Sequence, residues 1–277
     1  MGCTRSRGPR GFFCLQVDRR GPVMFDVSRL RGAIRMRHLA IIGTFALLCV
    51  AGCSDGSKND ANAPPPPVNP ELPAAPDILA TMAAAYAKCE TYADAGTATT
   101  TLTTSDGIDK SVKPFTTSFV RNGSFRFQFS ESDEPNSLYV AWTDGKSVLT
   151  WWDLNQKIES EESLGLALAG ATGVSSGSAH TIPSLLIPDQ VGGRALTAIT
   201  HPTRGSDSEI DDAPCFVIHG SYADDPITLW IEKQTYLIRR IDSESTFDEF
   251  TSVDSTIYSA SFDSKIDPEK LAFGIPQ

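Results

Sequence analysis

From Tyr92 onward the apolar residues recur mainly at every second position, a period that extended chain satisfies and helix does not. Phe125, Phe127 and Phe129 alternate with Arg126 and Gln128, which describes a strand with one apolar and one wet face. Asn122-Gly123 precedes that strand and Asp144-Gly145 follows the next apolar run. Both dipeptides suit two-residue hairpin turns, where the central residues take positive φ, so adjacent strands run antiparallel. Further strands are expected within 97–104, 115–121, 136–143, 146–153, 156–160, 195–200, 215–219, 226–232, 236–245 and 251–262. The chain is therefore mostly β with helices (α+β), built on about 11 short antiparallel strands.

Two segments break the period. Pro76-Asp77 suits a helix start, because proline fits a first turn and an acid meets the positive end of the helix dipole. Ile78, Met82, Tyr86 and Cys89 then recur at helical spacing as one apolar stripe. The second segment, 161–174, carries Leu164, Leu166, Ala167, Leu168, Ala169 and Ala171, so as a helix it is expected to be covered on most sides. Gly165 and Gly170 each weaken such a helix by about 1 kcal/mol relative to alanine. A Ser/Gly link, 175–178, and a short apolar turn, 183–187, stopped by Pro188, complete a mobile cover.

One helix and a weakened cover supply little apolar filler for a sheet of this size. Met82, Tyr86, Phe125, Phe127, Phe129, Trp142, Trp152, Leu164, Leu168, Leu185 and Trp230 are therefore candidates to line an apolar ligand cavity. The competing reading is an ordinary packed core.

Upstream, Met36 to Cys53 has a basic start, an apolar run from Leu39 to Val50 and small residues before a cysteine. That is the layout of an export signal, and the run is shorter than the roughly 20 residues of a membrane-spanning helix. Val50-Ala51-Gly52-Cys53 resembles the lipobox of bacterial lipoproteins, which implies lipid on Cys53 and removal of 36–52 as a signal peptide. Residues 1–35 are then expected to be an upstream extension outside the translated protein, which would start at Met36. Residues 53–75, with Pro64-Pro65-Pro66-Pro67, form a tether that cannot bury a core. Residues 76–277 suit one domain.

Nine of the 24 Lys and Arg precede residue 38, which leaves 15 against 32 Asp and Glu beyond Cys53, a net charge of −17. Such a surface repels phosphate backbones and excludes nucleic acid as a partner. It also disfavours a basic patch on anionic lipid, so membrane attachment falls to the Cys53 lipid.

Of six cysteines, Cys3 and Cys14 lie in the extension, Cys49 in the signal and Cys53 at the lipid. Cys89 and Cys215 remain and are expected to form one disulfide in an exported protein, the alternative being two buried thiols. Gly173-Val174-Ser175-Ser176-Gly177 matches a G-x-S-x-G nucleophile elbow, but that elbow needs a strand before it and a helix after it, within a parallel sheet. A lid hinge is expected instead. His180, His201 and His219 lack zinc spacing, and Asp211-Asp212 and Asp224-Asp225 read as turns. No metal, cofactor or catalytic constellation is expected.

The order of apolar helix, strand meander, interrupted apolar lid and second meander resembles the LolA/LolB-like outer-membrane lipoprotein-sorting family, over 76–276. The stretches that carry the likeness are Ala84-Ala85-Tyr86-Ala87-Lys88-Cys89, Ser178 to Pro188 and Leu229 to Arg240. They are most similar to a branch of exported lipoproteins, and the Cys89/Cys215 pair departs from the family pattern. The resemblance implies an unclosed antiparallel half-barrel whose concave face, capped by the N-terminal helix and a helical lid, shelters acyl chains of lipoproteins or lipids without catalysis. It also implies the periplasmic side of a bacterial envelope. Ser54 after Cys53, where an inner-membrane retention signal often has Asp, points to the outer membrane. The alternative function is an envelope sensor or scaffold that binds a protein partner with the same fold.

Overall fold

The structure is a computed structural model that describes residues 72–275. The extension, the signal peptide, Cys53 and most of the tether lie outside the described residues.

A single 12-stranded sheet dominates the described chain, every neighbouring pair antiparallel. The first half runs as a meander: β1 (Thr91–Thr104), β2 (Gly107–Val120), β3 (Ser124–Glu131), β4 (Glu134–Asp144), β5 (Val148–Trp152) and β6 (Lys157–Ser160). The second half comprises β7 (Thr200–Arg204), β8 (Ser208–Ile210), β9 (Ala213–Tyr222), β10 (Asp225–Glu232), β11 (Ile238–Thr246) and β12 (Phe250–Phe262). The halves join where β1 pairs with β12, in the order β6-β5-β4-β3-β2-β1-β12-β11-β10-β9-β7, with β8 also on β9. The outer strands β6 and β7 are not paired with each other, so the sheet stays open.

Turn chemistry sets the hairpins. Gly123 (φ 107°) and Gly145 (φ 87°) take backbone angles that other residues rarely adopt. Asp144 Oδ1 accepts from the backbone N–H of Lys146 (2.9 Å) and Ser147 (2.8 Å), an Asx turn closing β4–β5. Asp211 and Asp212 both lie at positive φ between β8 and β9, as a two-residue hairpin loop requires.

The helices lie on one face, here the inner face. α1 (Ala75–Lys88) begins with Pro76 and Asp77 and buries Ile78, Leu79, Met82 and Tyr86. α2 (Leu164–Thr172) is capped by Ser163, whose hydroxyl accepts from Leu166 N–H at 3.2 Å. α3 (Ser178–Leu186) and the short α4 (Pro188–Val191) follow. Opposite strands in register share a face, which assigns every strand side chain. Phe115, Phe119, Phe125, Phe127, Phe129 and Tyr139 face inward with Phe216, Ile218, Leu229 and Ile231 and form one core with the helices.

Four expectations are corrected. The segment 183–187 is not an isolated turn but the end of the nine-residue α3, with Pro183 inside the helix. The predicted strand at 195–200 is a 3-10 turn, Leu196–Ala198, because Leu196 and Ile199, three apart, both turn inward and are buried. α2 is covered on one side only: Leu164, Ala167, Leu168 and Ala171 are buried while Leu166 is 53% exposed. Gly165 is a contact rather than a weak point, since a Cβ there would lie 2.6 Å from the Gln190 carbonyl of α4.

Candidate functional site

Of the eleven side chains expected to line a cavity, nine are on the inner face. Met82, Tyr86, Phe125, Phe127, Phe129, Leu164, Leu168 and Leu185 are buried in the core, and Trp152 packs against its edge. α2 thus packs over β4 and β5, while α1 packs against α3 and β7. Trp142 and Trp230 are corrections, because their registers turn them outward. Trp142 pairs with Arg126; its indole N–H donates to the Leu271 carbonyl at 2.6 Å, and its ring meets Phe273. Trp230 pairs with Val217 and Arg240, and the Arg240 guanidinium stacks 4.9 Å from its centroid.

The same parity corrects the disulfide. Cys89 joins the inner core at the end of α1, whereas Cys215 pairs with Glu232 on the outer face of β9, opposite to Phe216 and Ile218. Both are buried free thiols with partners of their own: Cys89 Sγ to Tyr86 O (3.2 Å) and Cys215 Sγ to Ala213 O (3.3 Å). Burial pushes both thiols above their ordinary range.

The inner face is open beside α3. A cleft of about 350 Å³ lies between the α2–α3 link and strands β9–β12. Its apolar lining is Leu196, Ile227, Ile241 and Tyr258, and its polar side chains include Thr181, Ser243, Ser245, Thr256, Asp225 and Asp254. Asp225 Oδ2 accepts from Ser245 at 2.6 Å. Asp254 accepts from Thr100 at Oδ1 and from Ser252 at Oδ2 (3.3 Å). Because the Thr100 proton goes to Asp254, Ser176 Oγ, 2.6 Å from Thr100 Oγ1, is the donor in that pair. The chain Ser176–Thr100–Asp254 therefore ties the α2–α3 link to the sheet at the cleft. Ser176 (φ 52°) and Gly177 (φ 80°) are both left-handed, which makes the link a sharp corner.

Arg121, at the end of β2, fixes the other side of the cover. Its guanidinium donates to the carbonyls of Cys89 (Nε 3.0 Å, Nη2 2.8 Å), Tyr86 (3.0 Å) and Leu186 (2.7 Å) and lies 4.7 Å from the Phe119 centroid. It closes the C-terminal ends of α1 and α3 together, where free carbonyls favour a cation. On β1, opposite Thr117, Asp94 is buried between Tyr92, whose hydroxyl donates to Oδ2 (2.7 Å), and the backbone N–H of Thr117 (2.7 Å). Burial raises the Asp94 carboxyl to about 7, and its two hydrogen bonds oppose that only in part.

The Gly173–Gly177 motif is the α2–α3 link. Ser175 is fully buried; its Oγ accepts from Ala179 N–H at 3.1 Å and lies 3.4 Å from Thr172 O, so it serves the start of α3. His180 Nε2 instead sits 2.9 Å from the Gly192 carbonyl. Arg121, Thr100, Ser176, Asp254 and Thr256 were not foreseen from the sequence. Strand parity places Thr100, Asp254 and Thr256 together only once β1 is known to pair with β12.

No protein-family model and no curated protein matches the chain. Solved structures do. The chain is similar to an outer membrane lipoprotein-sorting protein domain from Vibrio parahaemolyticus (9% identity, 70% of this chain and 94% of that one, TM-score 0.32). It is also similar to LprF from Mycobacterium bovis (14% identity, 70% and 94%, TM-score 0.41). A third likeness is to the MucA/MucB complex of Pseudomonas aeruginosa (12% identity, TM-score 0.41), with 72% of this chain matched to 61% of that one.

Proposed function

We propose that this protein is a lipid-anchored carrier or receptor on the periplasmic side of a bacterial envelope, at the outer membrane. It takes acyl chains of lipoproteins or lipids into the cleft beneath α3 and performs no chemistry on them. The observation that carries the reading is the cleft itself: an opening of about 350 Å³ with an apolar floor, continuous with the core through Tyr258 and roofed by a link tied down by hydroxyls. A roof held by a few polar contacts can lift without unfolding the sheet. Attachment rests on lipid at Cys53, and the Pro-rich tether sets how far the domain reaches from the bilayer.

A neutral dansyl alkylamide tests this directly. Wild-type protein is expected to bind it with blue-shifted emission, and Ile241→Glu, which places a charge on the cleft floor, to bind about tenfold more weakly or not at all. Equal binding by both proteins would remove the cleft from the account.

A second reading, a sensor or scaffold for a protein partner, draws on a groove of about 480 Å³ on the outer face. Ala95, Thr97, Pro114, Gln128, Leu138 and Ile257 line it. Probe displacement by a partner, rather than by lipid, would favour it.

A further inference from the structure

The outer face carries an apolar strip that the described residues leave uncovered. Thr97, Thr99, Thr101 and Thr103 of β1 point outward, and the strands on both sides add apolar side chains in register. Ile257 and Pro114 flank Thr97, Val253 lies beside Thr101, and Ile108 beside Thr103. Ile108, Val253 and Ile257 are 74%, 42% and 44% exposed, which for three large apolar side chains on one face marks a surface that takes a partner. The C-terminal segment reaches this face only further along, where Leu271 and Gly274 meet Trp142 and Arg126, level with Ser118 of β2 and Ala93 of β1.

One row of the strip has a charge at each end. Glu244, Val253, Thr101 and Lys110 stand side by side on β11, β12, β1 and β2. Both end residues are exposed, and neither forms an ion pair among the described residues. Three strand spacings of about 4.8 Å hold them roughly 14 Å apart, too far to pair within one chain. The charges of the neighbouring rows are already matched: Arg240 donates to both oxygens of Asp242 (2.7 Å each), which also accepts from Ser255 (2.7 Å).

We infer that this strip is the interface between two copies of the chain, stacked face to face about a two-fold axis that runs along the strands between β1 and β12. Such an axis exchanges β2 with β11 and β1 with β12. It sets Glu244 of each copy opposite Lys110 of the other, with Val253 opposite Thr101 and Ile257 opposite Thr97. The order acid, apolar, threonine, base is its own complement under that axis, which is what singles out a second copy as the occupant. Aligned sheets stack about 10 Å apart and cross at about 30°, a gap that side chains as long as Lys and Glu bridge near the axis. Four strands over positions 97–103 of β1 give a patch of roughly 19 by 24 Å, the footprint of a small, reversible interface. The patch shares Thr97, Pro114 and Ile257 with the outer groove and leaves the inner cleft free, so pairing is independent of what the cleft holds.

Sedimentation equilibrium of the full protein in a density-matched mild detergent tests this. Wild type is expected to form reversible dimers at micromolar concentration. Lys110→Glu and Glu244→Lys should each weaken the dimer about tenfold, because each sets like charges face to face twice per dimer. The double reversal should restore the affinity to within about threefold of wild type. Val253→Glu should leave only monomer, whereas Lys146→Glu, an equal change of charge in the exposed β4–β5 turn, should leave the dimer intact. All four positions are exposed, and an unchanged far-ultraviolet circular dichroism spectrum checks that each variant keeps the fold. A wild type that stays monomeric throughout the micromolar range would overturn the inference. A dimer indifferent to Val253→Glu and to both single reversals would also overturn it, since the copies would then meet elsewhere. A double reversal no tighter than the single ones would overturn the two-fold arrangement.

Discussion

Arg121→Ala is expected to lower the stability of the domain by about 3–5 kcal/mol, because one guanidinium serves three backbone carbonyls on two helices. Each charge-assisted hydrogen bond contributes about 1.5–3 kcal/mol, and these are not additive within one group. The larger part of the loss is the carbonyls of Tyr86, Cys89 and Leu186, left at half-buried helix ends without a donor. The midpoint of thermal unfolding should fall by about 10 °C for a domain of this size. Lysine should recover less than half, since an ammonium cannot span three carbonyls with planar geometry or stack on Phe119. Urea unfolding at constant m-value checks the result, and an alanine variant within 1 kcal/mol of wild type would remove Arg121 from its place as the clamp of α1 and α3.

Asp94 is expected to make the domain lose stability as pH rises from about 4 to about 7. In the unfolded chain its carboxyl ionises near the ordinary value of 3.8, whereas in the fold burial holds the proton until about 7. Below the lower value both states are protonated and the carboxyl costs nothing. Between the two, the native state binds more protons than the unfolded state, so stability falls with pH. Above the upper value both are ionised and the penalty is complete. Three pH units at about 1.4 kcal/mol each give a loss of roughly 4 kcal/mol. Asp94→Asn should be free of it: the amide oxygen can accept from Thr117 N–H and the NH₂ can donate to the Tyr92 oxygen. Wild type and variant compared by urea unfolding at pH 4 and pH 7.5 isolate this carboxyl from the other acids. A difference between them that does not change with pH would contradict the account.

The architecture was legible in the sequence because sheets write their face assignment into alternate residues and hairpins write their turns into glycine and aspartate. Phe125, Phe127 and Phe129 show both, between Asn122-Gly123 and Asp144-Gly145. What failed was parity beyond one strand. Trp142 and Trp230 are apolar residues on strands, but an outer face carrying Arg126 or Arg240 accepts an aromatic as readily as the core does, by stacking or by an indole hydrogen bond. Elimination paired Cys89 with Cys215, yet the sheet stands between them. The lid residues were legible as apolar, but α3 was concealed by Pro183, which sequence rules treat as a stop. The cleft was illegible for a different reason. Its polar wall takes residues from β10, β11 and β12, and Thr100 joins Asp254 only through the β1–β12 pairing, which joins the two halves of the sheet across a separation of 154 residues at that contact.

The proposed function requires an acyl chain in the cleft, and native mass spectrometry of the full protein extracted from membranes in mild detergent addresses that most directly. The predicted spectrum carries one non-covalently held acyl-chain species above the mass of the lipidated chain, retained in wild type and absent from Ile241→Glu. A wild-type spectrum at the mass of the lipidated chain alone, under conditions in which the protein stays folded, would contradict it.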